Sequence, residues 1–230
     1  MQKKVSRKQL LKEPDEFLTL SARLLQWIAA YQSRILIGVA VLLGIGIVFS
    51  GYQMLNRSWE KEAFTKLDSL TTRFETVKKS DGAAKAYESV QKDFDAFLAD
   101  ASRRTAGKMG LILWGHMCMS AGQTEKAIEI YSRAKEAFEG NPLFAAVAQS
   151  ALGHAYLNHS DMDKAMAAFE SLIASGGDGA KLVAEDALIQ LSAISRQRKD
   201  EPKSRQYLQQ LLKDYPNTMY KEMATGLLNG

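Results

Sequence analysis

The sequence contains few of the residues that form disulfides and metal centres. It has one cysteine and three histidines among 230 residues. A single thiol excludes a disulfide framework and every zinc or iron–sulfur site that needs several thiolates. Proline is also scarce, with four in the chain, and no segment beyond residue 56 shows the β-branched alternation of a strand. We therefore predict an all-α chain that needs no cofactor.

The excess positive charge is confined to one end of the chain. The net charge is +4, from 30 basic and 26 acidic residues. Residues 1–34 contain seven basic and three acidic side chains, so the rest of the chain is neutral overall. This charge belongs to a tail beside an apolar segment and not to a basic domain, so it gives no support for nucleic-acid binding. We therefore predict no nucleic-acid partner.

One long apolar segment follows the tail. Residues 35–56 contain no charged side chain. About 20 apolar residues in a helix cross a bilayer core of about 30 Å, and lipid offers the backbone no hydrogen-bond partner outside a helix. A buried core helix is the alternative, but the length of the segment argues against it. We predict a transmembrane helix over 35–56 and a helical stalk over 57–80.

Residues 1–34 are predicted to be a cytoplasmic basic tail with its own amphipathic helix. Pro14 followed by two acidic residues is typical of a helix N-terminus. Apolar residues then recur every three or four positions, at Phe17, Leu20, Leu24, Trp27, Ile28 and Tyr31. Such a helix either lies on the inner leaflet or packs on a membrane partner. We expect lipid contact through residues 15–56, with the C-terminal domain outside the cytoplasm.

Small residues are spaced four apart within the apolar segment. The two pairs are Ala40 with Gly44 and Gly46 with Ser50. Such pairs allow a second transmembrane helix to approach closely. They are candidate transmembrane packing residues, although glycine is common in membrane spans in any case.

The remainder of the chain contains repeated helical segments. Helix-forming residues dominate it, and five positions recur at a spacing of 38 residues. The two sets are Leu111, Gly115, Cys118, Ala127 and Tyr131, and Gln149, Gly153, Tyr156, Ala165 and Phe169. A weaker third copy follows about 39 residues later, with Ser192 and Ser204 at the small positions. Spacing of this kind indicates stacked helical hairpins.

This pattern resembles the tetratricopeptide repeat (TPR), a pair of antiparallel helices in about 34 residues. In that family a Leu-Gly pair and a tyrosine mark the first helix, and an alanine and an aromatic residue mark the second. Leu152, Gly153, Tyr156, Ala165 and Phe169 match this pattern. The resemblance implies an extracytoplasmic TPR-like domain over 81–230, a right-handed α-solenoid of three to four hairpins. The repeats are predicted over about 108–141, 146–179 and 185–218, with a degenerate second helix upstream and a capping helix over 217–228.

The resemblance also implies a protein-binding groove on the concave side, lined by the first helix of each repeat. The mapped positions are Met109, Ile112, His116, Met119, Val147, Ser150, His154, Leu157, Asn158, Ile189 and Arg196. Most are apolar, and methionine side chains adapt to varied partners. We expect this groove to bind an apolar or amphipathic segment of another protein. The alternative is that some of these residues pack against an upstream helix of the chain itself.

No constellation of residues points to catalysis. Gly107-Lys108 is not a phosphate-binding loop, because Ser102 stands where the loop requires glycine. His116 and His154 occupy equivalent positions and could share a metal, but the sequence shows no carboxylate or third ligand near them. We therefore predict no metal site, a buried and inert Cys118 thiol, and a protein that is not an enzyme.

The whole layout resembles the ancillary subunit family of the bacterial Sec translocon. Its members are single-span proteins with a periplasmic TPR domain, and they associate with the translocon and with periplasmic chaperones. The resemblance implies a signal-anchored scaffold of the inner membrane with a cytoplasmic N-terminus. The long basic tail goes beyond the minimal layout of that family. The alternative is an assembly subunit of another envelope machine, for outer-membrane assembly, division or secretion.

Overall fold

The computed structural model describes residues 22–23, 25–27 and 29–229, and these residues are helical apart from short turns. They fall into two compact units, Met1–Ser58 and Trp59–Gly230, which we treat separately. The helices are α1 (Gln32–Asp81), α2 (Ala83–Asp100), α3 (Thr105–Ser120), α4 (Thr124–Ala137), α5 (Pro142–Asn158), α6 (Met162–Ser175), α7 (Asp178–Gln197), α8 (Glu201–Asp214) and α9 (Lys221–Asn229).

The first unit contains the apolar segment. Every residue from Leu36 to Ser58 is solvent-exposed, although most are apolar. Within the described residues, α1 is the helix whose length and composition would allow it to cross a membrane. The basic tail and most of the predicted amphipathic helix lie outside the described residues. Of that pattern the structure describes Trp27 and Tyr31, whose ring centroids are 5.3 Å apart.

The second unit is a stack of four helical hairpins closed by α9. The part of α1 from Trp59 onward packs with α2 as the first hairpin, through a shared apolar core and the Arg73–Asp93 ion pair, and the next three are α3/α4, α5/α6 and α7/α8. The sequence predicts a helical stalk over 57–80. The stretch is helical, but Leu67, Leu70 and Phe74 are buried in the core. Apolar residues spaced three and four apart mark a packed helix face, so this stretch belongs to the repeat domain.

The last three hairpins share one turn geometry. A residue with positive φ occupies the same place in each turn, with φ values of 74°, 63° and 63° at Gly122, Ser160 and Lys199. The N–H of the next residue donates to the carbonyl five positions earlier, at 2.8 to 2.9 Å. This bond satisfies a carbonyl at the end of the first helix. In the last two turns an aspartate, Asp161 or Asp200, then caps the second helix by accepting a backbone N–H.

Aromatic side chains fill the space between the first two hairpins. Trp114 of α3 is fully buried between Tyr87 and Phe94 of α2, with ring centroids 5.1 and 4.6 Å apart. Large stacked rings bury much apolar surface. The upstream second helix predicted from the sequence is therefore α2, and the domain has four hairpins. The all-α solenoid predicted as the fold class is confirmed.

Candidate protein-binding site

The predicted groove residues lie on the first helices α3, α5 and α7. Equivalent positions on α3 and α5 are 38 residues apart in the sequence, as Met119 and Leu157 are. Both are half-buried, as are Met109, Val147, His154 and Ile189, and three further groove residues, His116, Asn158 and Arg196, are exposed. These nine residues retain surface that a partner could contact.

Two of the predicted groove residues are part of the core. Ile112 and Ser150 occupy equivalent positions on α3 and α5, and each is 7% exposed. One side of each first helix lines the groove, and the neighbouring side packs against a second helix. Ile112 and Ser150 lie on the packed side. These two side chains are packed in the core and leave almost no exposed area for a partner to contact.

His116 is held by its own hairpin. Its Nδ1 lies 2.7 Å from the hydroxyl of Tyr131 on α4, and the two rings meet edge to face at 5.5 Å. Part of the His116 ring is exposed, and partial desolvation of the rest lowers its pKa below the usual value. Tyr131 lies directly over Gly115, so one tyrosine joins α3 to α4 and orients the histidine.

His154 instead joins two neighbouring hairpins. Its Nε2 lies 2.7 Å from a carboxylate oxygen of Asp186 on α7, and Gln190 donates to the other carboxylate oxygen at 3.3 Å. The hydrogen bond from His154 lowers the pKa of Asp186. The sequence had shown no carboxylate near this histidine, because Asp186 is 32 residues away. Even so, the described residues contain no group of three possible metal ligands.

Glycine allows close packing inside two of the hairpins. A Cβ atom added to Gly115 would lie 2.3 Å from the Tyr131 ring, and one added to Gly153 would lie 2.6 Å from the Phe169 ring. No side chain fits in either place. We call α3/α4 and α5/α6 the glycine hairpins.

The last hairpin replaces this contact with a pair of hydroxyl groups. Ser192 of α7 and Ser204 of α8 are both buried, and their Oγ atoms are 2.9 Å apart. Leu208 takes the place of the aromatic ring. A leucine side chain has fewer atoms and reaches less far than an aromatic ring, which is consistent with a serine Cβ at this position. We call α7/α8 the serine hairpin.

Sequence reasoning missed a polar link between second helices. A carboxylate oxygen of Glu170 on α6 accepts bonds from Lys203 Nζ at 2.7 Å and from the Tyr207 hydroxyl at 2.6 Å, both on α8. Burial, helped by the Glu170 bond, raises the pKa of Tyr207 to about 12. Partners separated by more than 30 residues leave no mark in a local pattern, so no sequence signal could have found this link.

The cysteine of the chain lies in the core of the second unit. Cys118 is fully buried, and burial raises the pKa of its thiol to about 12, so the thiolate needed for reaction is scarce at neutral pH.

The candidate transmembrane packing residues are all exposed: Ala40, Gly44, Gly46 and Ser50. Space around the two glycines is open, because within the described chain only the adjoining backbone of the same helix lies near an added Cβ.

Comparison with known proteins supports the repeat assignment. Residues 186–218 match the family model of the tetratricopeptide repeat. No curated protein matches the sequence. The fold is similar to a crystal structure of nearly identical TPR-like repeats from a Podosopora anserina protein described as a kinesin light chain. That match has a TM-score of 0.53 at 13% identity and covers 72% of this chain and 84% of the other. The second unit is thus a TPR-like α-solenoid, and its match to the tetratricopeptide repeat lies at residues 186–218.

Proposed function

We propose that this protein is a membrane-anchored scaffold that binds other proteins through the first helices of its TPR-like domain. The observation that carries the proposal is the recurrence of half-buried apolar side chains at equivalent positions, Met119 on α3 and Leu157 on α5. A row of apolar side chains along successive first helices suits an extended or helical apolar segment. TPR domains are generally non-catalytic, and we assign no reaction to this chain.

The anchor in this proposal is the apolar segment of α1. Its side chains are exposed on every face of the helix, and exposed apolar surface of that extent is costly in water. A bilayer removes the cost. The basic tail on the short N-terminal side favours a cytoplasmic N-terminus and a periplasmic TPR domain. An enzymatic reporter fused after Gly230, active only outside the cytoplasm, tests this orientation, and an inactive reporter on a membrane-inserted chain contradicts it.

The proposed partners are subunits of the protein-export translocon and periplasmic chaperones. This part rests on the layout alone, a single N-terminal span followed by a TPR domain. The alternative partner is another envelope machine, for outer-membrane assembly, division or secretion. Mass spectrometry of the full chain purified in a gentle detergent distinguishes the two, because translocon and chaperone subunits should then be enriched over other envelope proteins. Enrichment of a different machine without them contradicts the translocon assignment.

The groove is tested by charge reversal in the same purification. Met119→Glu and Leu157→Glu place a carboxylate on the apolar row, and we expect the double variant to lose captured partners because the partner would have to bury that charge. Met219→Glu is the matched control, since Met219 is 87% exposed and lies outside the groove. All variants should keep the circular dichroism of the native chain. Capture that survives the double variant shows that the groove is the wrong surface.

A further inference from the structure

An exposed tryptophan at the start of the second unit has two basic side chains beside it, Arg104 and Lys66. Trp59 of α1 is 45% exposed. The guanidinium group of Arg104, at the start of α3, lies over its indole ring at 5.6 Å from the centroid. Lys66 lines the same cleft, and Arg103 and Lys108 flank Arg104 in the sequence. We call these five residues the Trp59 cluster.

The cluster is held in place by the packing of the first two hairpins. A carboxylate oxygen of Glu60 accepts the backbone N–H of Ala106 at 2.8 Å, which ties α1 to the first turn of α3. An added Cβ on Gly107 would lie 2.0 Å from the carbonyl oxygen of Ala101, so the turn between α2 and α3 is packed tightly against α3. The Arg104 side chain is therefore placed beside Trp59 by rigid elements.

The four cations of the cluster have no carboxylate partner within the described chain. Three other arginines of the domain do have one, in the pairs Arg73 with Asp93, Arg133 with Glu129 and Arg198 with Asp163. Glu62 and Asp100 line the same cleft but form no ion pair with the cluster. The four cations outnumber the three nearby carboxylates, Glu60, Glu62 and Asp100, and none of the four is held in an ion pair among the described residues.

The sequence places this cluster beside the proposed anchor. Trp59 follows Asn56, the last residue of the uncharged segment, by three residues. Three residues span at most about 11 Å in any conformation, and the headgroup layer on each side of the apolar core is about 5–8 Å thick. An anchor that ends near Asn56 thus holds Trp59 at or next to the headgroup layer. Tryptophan is enriched at that depth, and basic residues are attracted to anionic lipids there.

We propose that the Trp59 cluster is a membrane-contact surface that binds the headgroups of anionic lipids next to the anchor. This inference rests on the proposed membrane anchoring. Trp59 lies in the interfacial layer, and the unpaired cations contact lipid phosphates. The contact orients the first hairpin on the membrane.

The test uses the full chain in lipid vesicles with a fluorophore at either end of α3. Ser102→Cys places the label beside the cluster, and Ser120→Cys places it at the far end of α3, a helix of 16 residues that is about 24 Å long. Cys118 is fully buried and remains unlabelled, which labelling of the native chain verifies. The quencher is phosphatidylcholine with a nitroxide on the headgroup, in vesicles with and without phosphatidylglycerol.

We expect quenching at position 102 to exceed quenching at position 120 and to increase with phosphatidylglycerol. Neutralising Arg103, Arg104 and Lys108 with glutamine should lower the ratio of membrane-contacting to detached domain by about fivefold for each cation removed. The matched control changes Lys135, Lys199 and Lys213 to glutamine, three exposed cations outside the cluster, and should leave the quenching unchanged.

Three results are decisive against the proposal. Equal quenching at both positions overturns it, as does quenching that is insensitive to phosphatidylglycerol or to the triple neutralisation. Flotation of the protein with the vesicles is measured first and reports on the anchor alone. A chain that does not float contradicts the proposed anchor. A chain that floats without preferential quenching at position 102 contradicts only the proposed contact surface.

Discussion

The glycine hairpins and the serine hairpin reach the same architecture with different contacts. In α3/α4 and α5/α6 an aromatic ring lies directly over a glycine of the first helix. In α7/α8 both small positions are serines that bond to each other, and a leucine replaces the ring. The family model matches this last hairpin, which departs most from the glycine pattern. The repeat is therefore defined by how closely its two helices approach, and more than one pair of side chains allows that approach.

The largest effect should come from filling the space under a ring. Gly153→Leu would place a Cβ 2.6 Å from the Phe169 ring, and we expect overpacking to lower the free energy of unfolding by about 3 kcal/mol. Urea unfolding of the full chain in detergent, followed by tryptophan fluorescence, measures it. Gly140→Leu is the control, because no atom lies within 4 Å of a Cβ there. Equal effects at both sites would contradict the proposed role of glycine.

The same site tests whether the two contact types can be exchanged. Gly153→Ser with Phe169→Leu copies two of the three positions that distinguish the serine hairpin, those of Ser192 and Leu208, while Ala165 stays in the place of Ser204. The two substitutions should be coupled by at least about 1 kcal/mol, because the leucine makes room for the serine Cβ. Additive effects in the double-mutant cycle would show that the ring and the glycine do not depend on each other.

The effects of deleting the two serine hydroxyl groups should also be coupled. Ser192→Ala or Ser204→Ala leaves one buried hydroxyl without its partner, and each should cost about 1 kcal/mol of stability. The double alanine variant should cost less than the sum, because no unpaired hydroxyl remains. Additive losses would indicate that each serine acts through other contacts.

The sequence predicted the elements that depend on local pattern. The 38-residue spacing predicted α3 to α6, since the turn at Gly122 and its equivalents recurs with it. The burial of Leu67 and Phe74 was missed, although their spacing is that of a packed helix face, because the adjoining apolar segment suggested a continuous stalk. The contact between His154 and Asp186 could not be found in this way, because it depends on how one hairpin stacks on the next.

Substitutions at the turn residues with positive φ should change the stability of the chain by a smaller amount, and they compare the turns of two hairpins. Gly122 adopts positive φ at no cost, whereas Lys199 adopts the same conformation with φ of 63° and pays the Cβ clash of a left-handed residue. We expect Lys199→Gly to stabilise the chain by about 0.5–1 kcal/mol, since the relief of strain exceeds the entropy of glycine. Gly122→Ala should destabilise it by a similar amount. A loss of stability in Lys199→Gly would contradict this reading of the turn.

The smallest effect concerns the two equivalent histidines, and it appears as a difference in pH dependence. The pKa of Asp186 is lowered by its bond to His154 from the usual 3.8. A lowered carboxyl pKa contributes stability above pH 3.8 that is lost as the pH falls through the lower folded value. Asp186→Asn should therefore cost less than about 1 kcal/mol at neutral pH, because both side chains are more than a third exposed, and the deficit should vanish in acid.

His116 titrates in a different range and serves as the comparison. Partial desolvation lowers its pKa below 6.5, so the native chain should lose stability as the pH falls below 6.5 and the partly desolvated ring must take up a proton. His116→Gln removes that loss, whereas Asp186→Asn leaves it in place. Urea unfolding of both variants between pH 7 and pH 3 separates the two contributions. A loss below pH 6.5 that persists in His116→Gln would mean that a group other than this ring causes it.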